Sequence, residues 1–283
     1  MSGKRILYIA TADARGHLMR CQILVKQLRQ HGITVDVLTT SQAGADFLSA
    51  FEIDAVVFSR HYYIEFDDAH NINHAKTNLR VASYQLLPHG LLKDLFQLSR
   101  KLPEYDLVIN DSFQPAALFL PVLNRNARAK IVHIFGDTLQ DSVTNHLDTR
   151  WPKFCADIYR YSIKQQIKLS HARLVHAFHH QDRTEGRDSC EICLPTPLAS
   201  LPSTTQSHQK KTAVVYLNPH FKCTRRAYAM QQTLIKQGYE VHAVGEGVAS
   251  TLSGWEKYDT QLNSRIATAD LLVAGAGMAA SHL

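Results

Sequence analysis

Arg5-Ile-Leu-Tyr-Ile-Ala10 is an unbroken apolar run after its first residue, the mark of a strand buried on both faces of a parallel sheet. A loop over 11–16 follows. Leu18, Cys21, Leu24, Val25 and Leu28 then recur at three- and four-residue spacing, which predicts a helix over 17–31. Gly32 stands where a helix C-terminal cap belongs, and 33–38 (ITVDVL) reads as the next strand. Strand, helix and strand within about thirty-five residues make a βαβ unit, and with it an α/β fold class.

Working outward, further strands are expected at 55–59, 106–110 (DLVIN), 130–135 (KIVHIF) and 173–177 (RLVHA). A helix over 78–101 is expected to break at Pro88-His-Gly90. From Pro195 to His208 the chain holds three prolines and a Ser/Thr/Gln cluster, the composition of an interdomain linker. Then the opening pattern returns. Ala213-Val-Val-Tyr-Leu217 reads as a strand, 218–225 as a loop and 226–237 as a helix, with Gly238 as its cap and 240–244 (EVHAV) as the second strand. This internal repeat argues for two Rossmann-like doubly wound domains: 1–200, a linker at 201–211, and 212–283. The second half is expected to hold three strands, 213–217, 241–244 and 271–274, and to stop within the helix after 269–277. A three-strand remnant leaves one face of a parallel sheet bare. The second domain therefore reads as incomplete: truncated, closed in an unusual way, or completed by another chain.

Composition bounds the function. Of 283 residues, 45% are hydrophobic and 20% charged, as in soluble globular proteins. No apolar run approaches the roughly 18–20 residues of a membrane helix; the longest, 116–123 and 269–280, suit buried strands and loops. Lys4 and Arg5 precede a short apolar stretch that Asp13 and Arg15 interrupt, so the N-terminus reads as a first strand rather than a signal peptide. Five cysteines, of which only Cys190 and Cys193 are close in sequence, suggest a reduced, cytoplasmic protein with no disulfide framework. The net charge of +6, before sixteen histidines are counted, favours anionic partners such as phosphorylated substrates or lipid headgroups. Nucleic acid is not expected, since no Lys/Arg run exceeds two residues.

Ligands of open α/β sheets bind at the carboxyl ends of the strands, near helix N-termini. His17 falls in the first turn of a helix there, a place suited to a neutral base, although a histidine also serves simply to satisfy a helix end. Asp111 closes the strand DLVIN; if that strand neighbours the first, Asp111 can orient His17. The alternative is an aspartate capping a helix over 112–119. In the second half, Lys222 and Arg225, beside Arg226 at a helix start, suit a diphosphate, or form a solvated basic turn. Gly275-Ala-Gly277 permits a close backbone approach, or a tight turn. Cys190-Glu-Ile-Cys193 with His176, His179 and His180 lacks a standard zinc-finger spacing, and no metal is expected. The segment 86–98, with Leu91, Leu92, Leu95, Phe96 and Lys93, suits core or cleft wall, or contact with a membrane holding a lipid acceptor.

Gly16-His-Leu-Met-Arg20 and His31-Gly-Ile-Thr-Val35 resemble the opening of GT-B glycosyltransferases. The resemblance is to the branch of the lipid-linked N-acetylglucosaminyltransferase of peptidoglycan synthesis and its uncharacterised relatives. Tyr105-Asp-Leu-Val-Ile-Asn-Asp111 with Pro115-Ala-Ala, and Ala269-Asp-Leu-Leu-Val-Ala-Gly-Ala-Gly277, extend it over most of the chain; 51–101 matches only loosely. The resemblance implies GT-B architecture and inverting, metal-independent transfer of a sugar from a nucleotide sugar, UDP-linked, to an acceptor hydroxyl, without a cofactor. It implies that His17 deprotonates the acceptor and Asp111 supports it, that Gly275 and Gly277 lie against the donor, and that Gly16 and Arg20 belong to an acceptor-side loop. A lipid or glycan acceptor would place the protein at the inner face of the membrane. Two departures stand out. The glycine-rich first loop is reduced to Gly16, and the acidic residue that binds the donor ribose would lie beyond Leu283. Gly16-His-Leu-Met-Arg20-Cys21 also resembles the motif of the UDP-sugar hydrolase of pseudaminic acid synthesis, a family with a shorter first domain, in which water replaces the acceptor. A third reading is a non-catalytic domain that binds a partner or sugar, or that a second chain completes.

Overall fold

Strand β1 (Arg5–Ala10) lies inside a seven-stranded sheet, and Leu7, Tyr8, Ile9 and Ala10 are each almost wholly buried, as the apolar run requires. The computed structural model of the protein describes residues 3–12, 15–59, 65, 73–86, 89–111, 114–136, 153–177, 190–195, 210–219 and 221–275. Two compact units divide the chain: Met1–Ser49, Ile53–Ile64 and His74–Pro197 form one, and Ala50–Glu52, Glu65–Asn73 and Leu198–Leu283 the other. Residues 201–209 of the expected linker lie outside the described residues.

In the first unit β1 leads into α1 (Arg15–Gln30), β2 (Thr34–Thr39), α2 (Gln42–Ser49) and β3 (Ala55–Val57). Helices α3 (His74–Leu86) and α4 (His89–Lys101) follow, then β4 (Leu107–Asp111), α5 (Pro115–Leu123), α6 (Arg125–Arg128), β5 (Ile131–Gly136), α7 (Lys153–Lys168), β6 (Ala172–Ala177) and β7 (Glu191–Pro195). Gly32, at φ 75°, ends α1 as expected. Its N–H bonds the Arg29 carbonyl and that of Ile33 bonds the Leu28 carbonyl, an exit that only a left-handed residue gives without strain. The strands are all parallel, in the order β3-β2-β1-β4-β5-β6-β7. Leu7, Ile9, Leu38, Leu98, Val108, Ala116, Ala117, Leu120 and Ile131 join sheet and helices in one core. The run 116–123, suited by composition to strand or loop, is helical instead. Pro115 fits a first turn, and Ala116 and Ala117 let the helix lie close to the sheet.

The second unit repeats the plan with β8 (Thr212–Leu217), α8 (Thr224–Lys236) and β9 (Glu240–Gly245), and Gly238, at φ 86°, again ends the helix. There follow α9 (Glu246–Ala249), β10 (Trp255–Glu256), α10 (Leu262–Thr268) and β11 (Leu271–Ala274). The sheet runs β10-β9-β8-β11, all parallel. It has four strands among the described residues where three are expected. The extra one, β10, is too short to carry a periodicity; Trp255 defines it, joining the core cluster of Ala213, Val215 and Ala243 and donating from Nε1 to Gln231 Oε1 at 2.9 Å.

Candidate functional site

The strand order of the larger sheet reverses between β1 and β4, and their register sets Ala10 opposite Asp111. Ligands of doubly wound folds bind at such a switch point, outside the carboxyl ends of the strands. Asp111 is the last residue of β4, and α1 begins a few residues beyond β1. His17 and Arg20 are three apart on α1 and so share a helix face, and that face meets Asp111. His17 Nδ1 lies 2.9 Å from Asp111 Oδ1, with 30% of the His17 side chain exposed and none of Asp111. A carboxylate only accepts, so Nδ1 carries the proton and Nε2 is left as the acceptor. The strands β1 and β4 are neighbours, and the two side chains are joined.

Three further donors hold the carboxylate. Arg20 Nε donates to Oδ2 at 2.8 Å and Arg20 Nη2 to Oδ1, while the Tyr8 hydroxyl donates to Oδ2 at 2.7 Å. Arg20 Nη1 lies 2.5 Å from Nε2 of buried His176, at the carboxyl end of β6, so that histidine nitrogen accepts. Arg20 Nη2 is also 3.0 Å from His17 Nδ1, but both atoms carry protons that point to Asp111. Burial alone would raise the Asp111 pKa; the charge of His17 when it is protonated and its hydrogen bond, joined by those of Arg20, outweigh it and hold the carboxyl below its ordinary value. Burial likewise opposes the Arg20 charge, and the bond and charge of Asp111 overcome it, so Arg20 is raised. Tyr8 is pushed well above its ordinary value, first by burial and then by the adjacent carboxylate.

Asp111 does not cap α5. That role falls to Gln114, whose Oε1 accepts the Ala116 N–H at 2.5 Å. Gln114 N donates to Asn110 Oδ1 at 3.2 Å. Gln114 Nε2 donates to buried Asp94 Oδ2 at 3.3 Å, and the Tyr84 hydroxyl donates to the same oxygen at 2.7 Å. Gln114 is thereby tied down at the start of α5, and the Asp111 carboxylate faces α1. Gly16 and Arg20, expected on a loop, both belong to α1. Gly16 is exposed, with nothing within 4 Å of where a Cβ would stand, whereas Arg20 points inward.

In the second unit Lys222 and Arg225 are exposed at the start of α8. The capping position there, Cys223, makes no side-chain cap, so N–H groups of the first turn have no side-chain acceptor from that residue. Pairing of β11 with β8 brings Gly275 beside Asn218, whose Nδ2 is 3.6 Å from where a Gly275 Cβ would stand. Lys222, Arg225 and Gly275 thus occupy the carboxyl edge of the smaller sheet; Gly277 lies outside the described residues.

Among the described residues, Cys190, Cys193 and His176 do not gather into one ligand set. Cys193 lies on β7 and packs against a cluster of Leu118, Phe135, Ile167 and Val175, while Cys190 sits in the turn before the strand. His179 and His180 lie outside the described residues. His242, Glu256 and Asp259 do gather ligand atoms within 4.8 Å of one another. Asp259 is already engaged, however: Oδ2 meets His242 Nε2 at 2.8 Å and Arg265 Nε at 2.9 Å, and Oδ1 accepts the Gln261 N–H. This is an ion-paired turn. Among the described residues no helix is long and apolar enough to cross a membrane. In α4, Leu91 and Leu95 pack on the core, whereas Leu92 and Phe96 are 58% and 62% exposed.

Two parallel-sheet Rossmann-like units in one chain are the fold of GT-B glycosyltransferases. No family model matches the chain, and no curated protein matches it by sequence. Among solved structures it is similar to the spinosyn rhamnosyltransferase SpnG in complex with thymidine diphosphate (14% identity, 98% of this chain, 77% of that one, TM-score 0.56). It is also similar to the glycosyltransferase SsfS6 of Streptomyces sp. SF2575, complexed with thymidine diphosphate (14%, 98%, 78%, TM-score 0.54). A third is a protein of Listeria monocytogenes assigned as a UDP-N-acetylglucosamine 2-epimerase (10%, 98%, 76%, TM-score 0.52). At these identities the likeness establishes the fold.

Proposed function

We propose that the protein is a nucleotide-sugar glycosyltransferase in which His17 is the base. The observation that carries this reading is the His17–Asp111 pair at the switch point, with Nδ1 held by a buried carboxylate and Nε2 left to accept a proton. His17 Nε2 takes the proton of an acceptor hydroxyl as its oxygen bonds the anomeric carbon. The bond from that carbon to the diphosphate oxygen breaks in the same displacement, which inverts the centre. Asp111 stabilises the imidazolium that forms. Residues 1–200 serve the acceptor and 212–283 the donor. Lys222, Arg225 and the start of α8 offer positive charge to the departing nucleoside diphosphate, so the reaction needs no metal. Gly275 and Gly277 admit the donor close to the backbone. The thymidine diphosphate complexes of the matched transferases support a pyrimidine nucleotide donor, UDP- or TDP-linked. An acceptor carried on a lipid would bring Leu92 and Phe96 to a membrane surface.

The test is release of nucleoside diphosphate from a panel of nucleotide sugars, with and without candidate acceptors, for the unaltered chain and His17→Ala. Release that needs an acceptor and disappears in the variant supports the reading. Release with free sugar and no acceptor would assign the hydrolase reaction instead, and undiminished release by His17→Ala would overturn the role of His17.

A further inference from the structure

A carboxylate has two oxygens and about four acceptor positions, and in Asp111 all are taken. His17 Nδ1 and Arg20 Nη2 meet Oδ1, and Tyr8 and Arg20 Nε meet Oδ2. Half of these bonds come from one guanidinium, whose remaining nitrogen meets His176 across on β6. We propose that Arg20 is a positioning residue for His17, acting through Asp111. This deepens the reading of His17 as a base and rests on it.

Two separate properties of Arg20 do the work. Its planar fork fixes the carboxylate in rotation, which leaves one direction of Oδ1 for the His17 ring and so sets where Nε2 points. Its charge balances that of Asp111, so the buried carboxyl stays ionised and keeps accepting the Nδ1 proton. Tyr8 completes the cradle without charge, and His176 keeps the guanidinium from swinging away.

The two properties separate in substitution. Arg20→Met removes both; Arg20→Lys keeps the charge and loses the fork. Nitrogen-15 spectra of the histidine rings, with the His17 signal assigned by its absence in His17→Gln, read the protonation directly and need no substrate. In the neutral ring of the unaltered chain the proton should sit on Nδ1. Arg20→Met should mix the two neutral tautomers, and Arg20→Lys should keep the proton on Nδ1. In turnover, Arg20→Lys should lower kcat about tenfold with KM unchanged, as a loosened base does. If folded Arg20→Met keeps the His17 proton on Nδ1 alone, the assignment falls. Should Arg20→Met not fold, the unaltered chain decides: the Arg20 guanidinium N–H signals should be resolved and slow to interchange, and a freely rotating guanidinium would overturn the clamp. If no nucleotide sugar is turned over while these spectra behave as expected, the transferase reading fails and the clamp stands.

Discussion

Asp111→Leu removes the acceptor of three bonds from Arg20 and Tyr8 as well as that of His17, and leaves a buried guanidinium without its counter-charge. Breaking a buried ion pair from one side costs about 3–5 kcal/mol, a large part of the roughly 5–15 kcal/mol that holds a domain folded. For a unit of this size that corresponds to a fall in Tm of about 6–20 °C. Arg20→Met should cost a similar amount by leaving the carboxylate uncompensated. The double variant Arg20→Met/Asp111→Leu fills the same space with apolar atoms and strands no charge, so it should recover at least half of the loss of either single change. The assay is urea unfolding followed by circular dichroism for the four proteins of the cycle. The reasoning is refuted if the double variant is destabilised by the sum of the single changes, or if Asp111→Leu unfolds at the same urea concentration as the unaltered chain. Nucleoside diphosphate release should stay absent in the stabilised double variant, which would separate the catalytic need for Asp111 from its structural one.

Other outcomes follow from particular contacts. His17→Ala, at a ring partly exposed and bonded only on one side, should abolish turnover while shifting stability by no more than about 1 kcal/mol in urea unfolding. Asp111 titrates below its ordinary value, near 3.9 when unfolded. Its contribution is therefore complete above about pH 4 and is lost as pH falls through the lower folded value. Urea midpoints measured from pH 5 to pH 3 should fall less steeply in Asp111→Asn. A Cβ added at Gly247 would overlap the Phe221 carbonyl and stand 2.8 Å from that of Pro219. Because both are backbone atoms of the loop before α8, Gly247→Ala should destabilise the second unit by about 1–3 kcal/mol, measured by amide exchange at Trp255 and its neighbours.

Much of the fold was legible because local signals and tertiary roles agree. β1, α1 and Gly32 follow from a continuous apolar run, a 3.6-residue stripe and a left-handed stop, and the same signals recur in β8, α8 and Gly238. His17 and Asp111 were legible because one stands in the first turn of a helix and the other at a strand's carboxyl end, where an α/β sheet exposes its helix starts. Their partners were not. Tyr8 sits inside an apolar strand, and the inward aim of its hydroxyl depends on the β1–β4 pairing. Arg20 is marked in the sequence only by the resemblance, as part of an acceptor-side loop; its partner is a carboxylate ninety-one residues away. Helix α7 gave no clean stripe because Phe154, Ile158 and Tyr161 are exposed while Ile167 is buried. The cap of α5 carried a signal that was passed over: Gln114 stands before Pro115, and proline at a first helical position directs attention to the residue ahead of it. The strands β7 and β10 sit at sheet edges, where burial on fewer sides weakens the apolar pattern.

The claim that this chain works on a nucleotide-linked sugar is met most directly by its thermal stability in the presence of thymidine, uridine and guanosine diphosphates and their sugars. A nucleotide at a hundred times its Kd should stabilise the folded chain by about 2.7 kcal/mol. A rise in Tm with one pyrimidine diphosphate, reduced when Lys222 and Arg225 are replaced by alanine, is the predicted result. No rise with any of them, in a chain that unfolds cooperatively, would contradict the account.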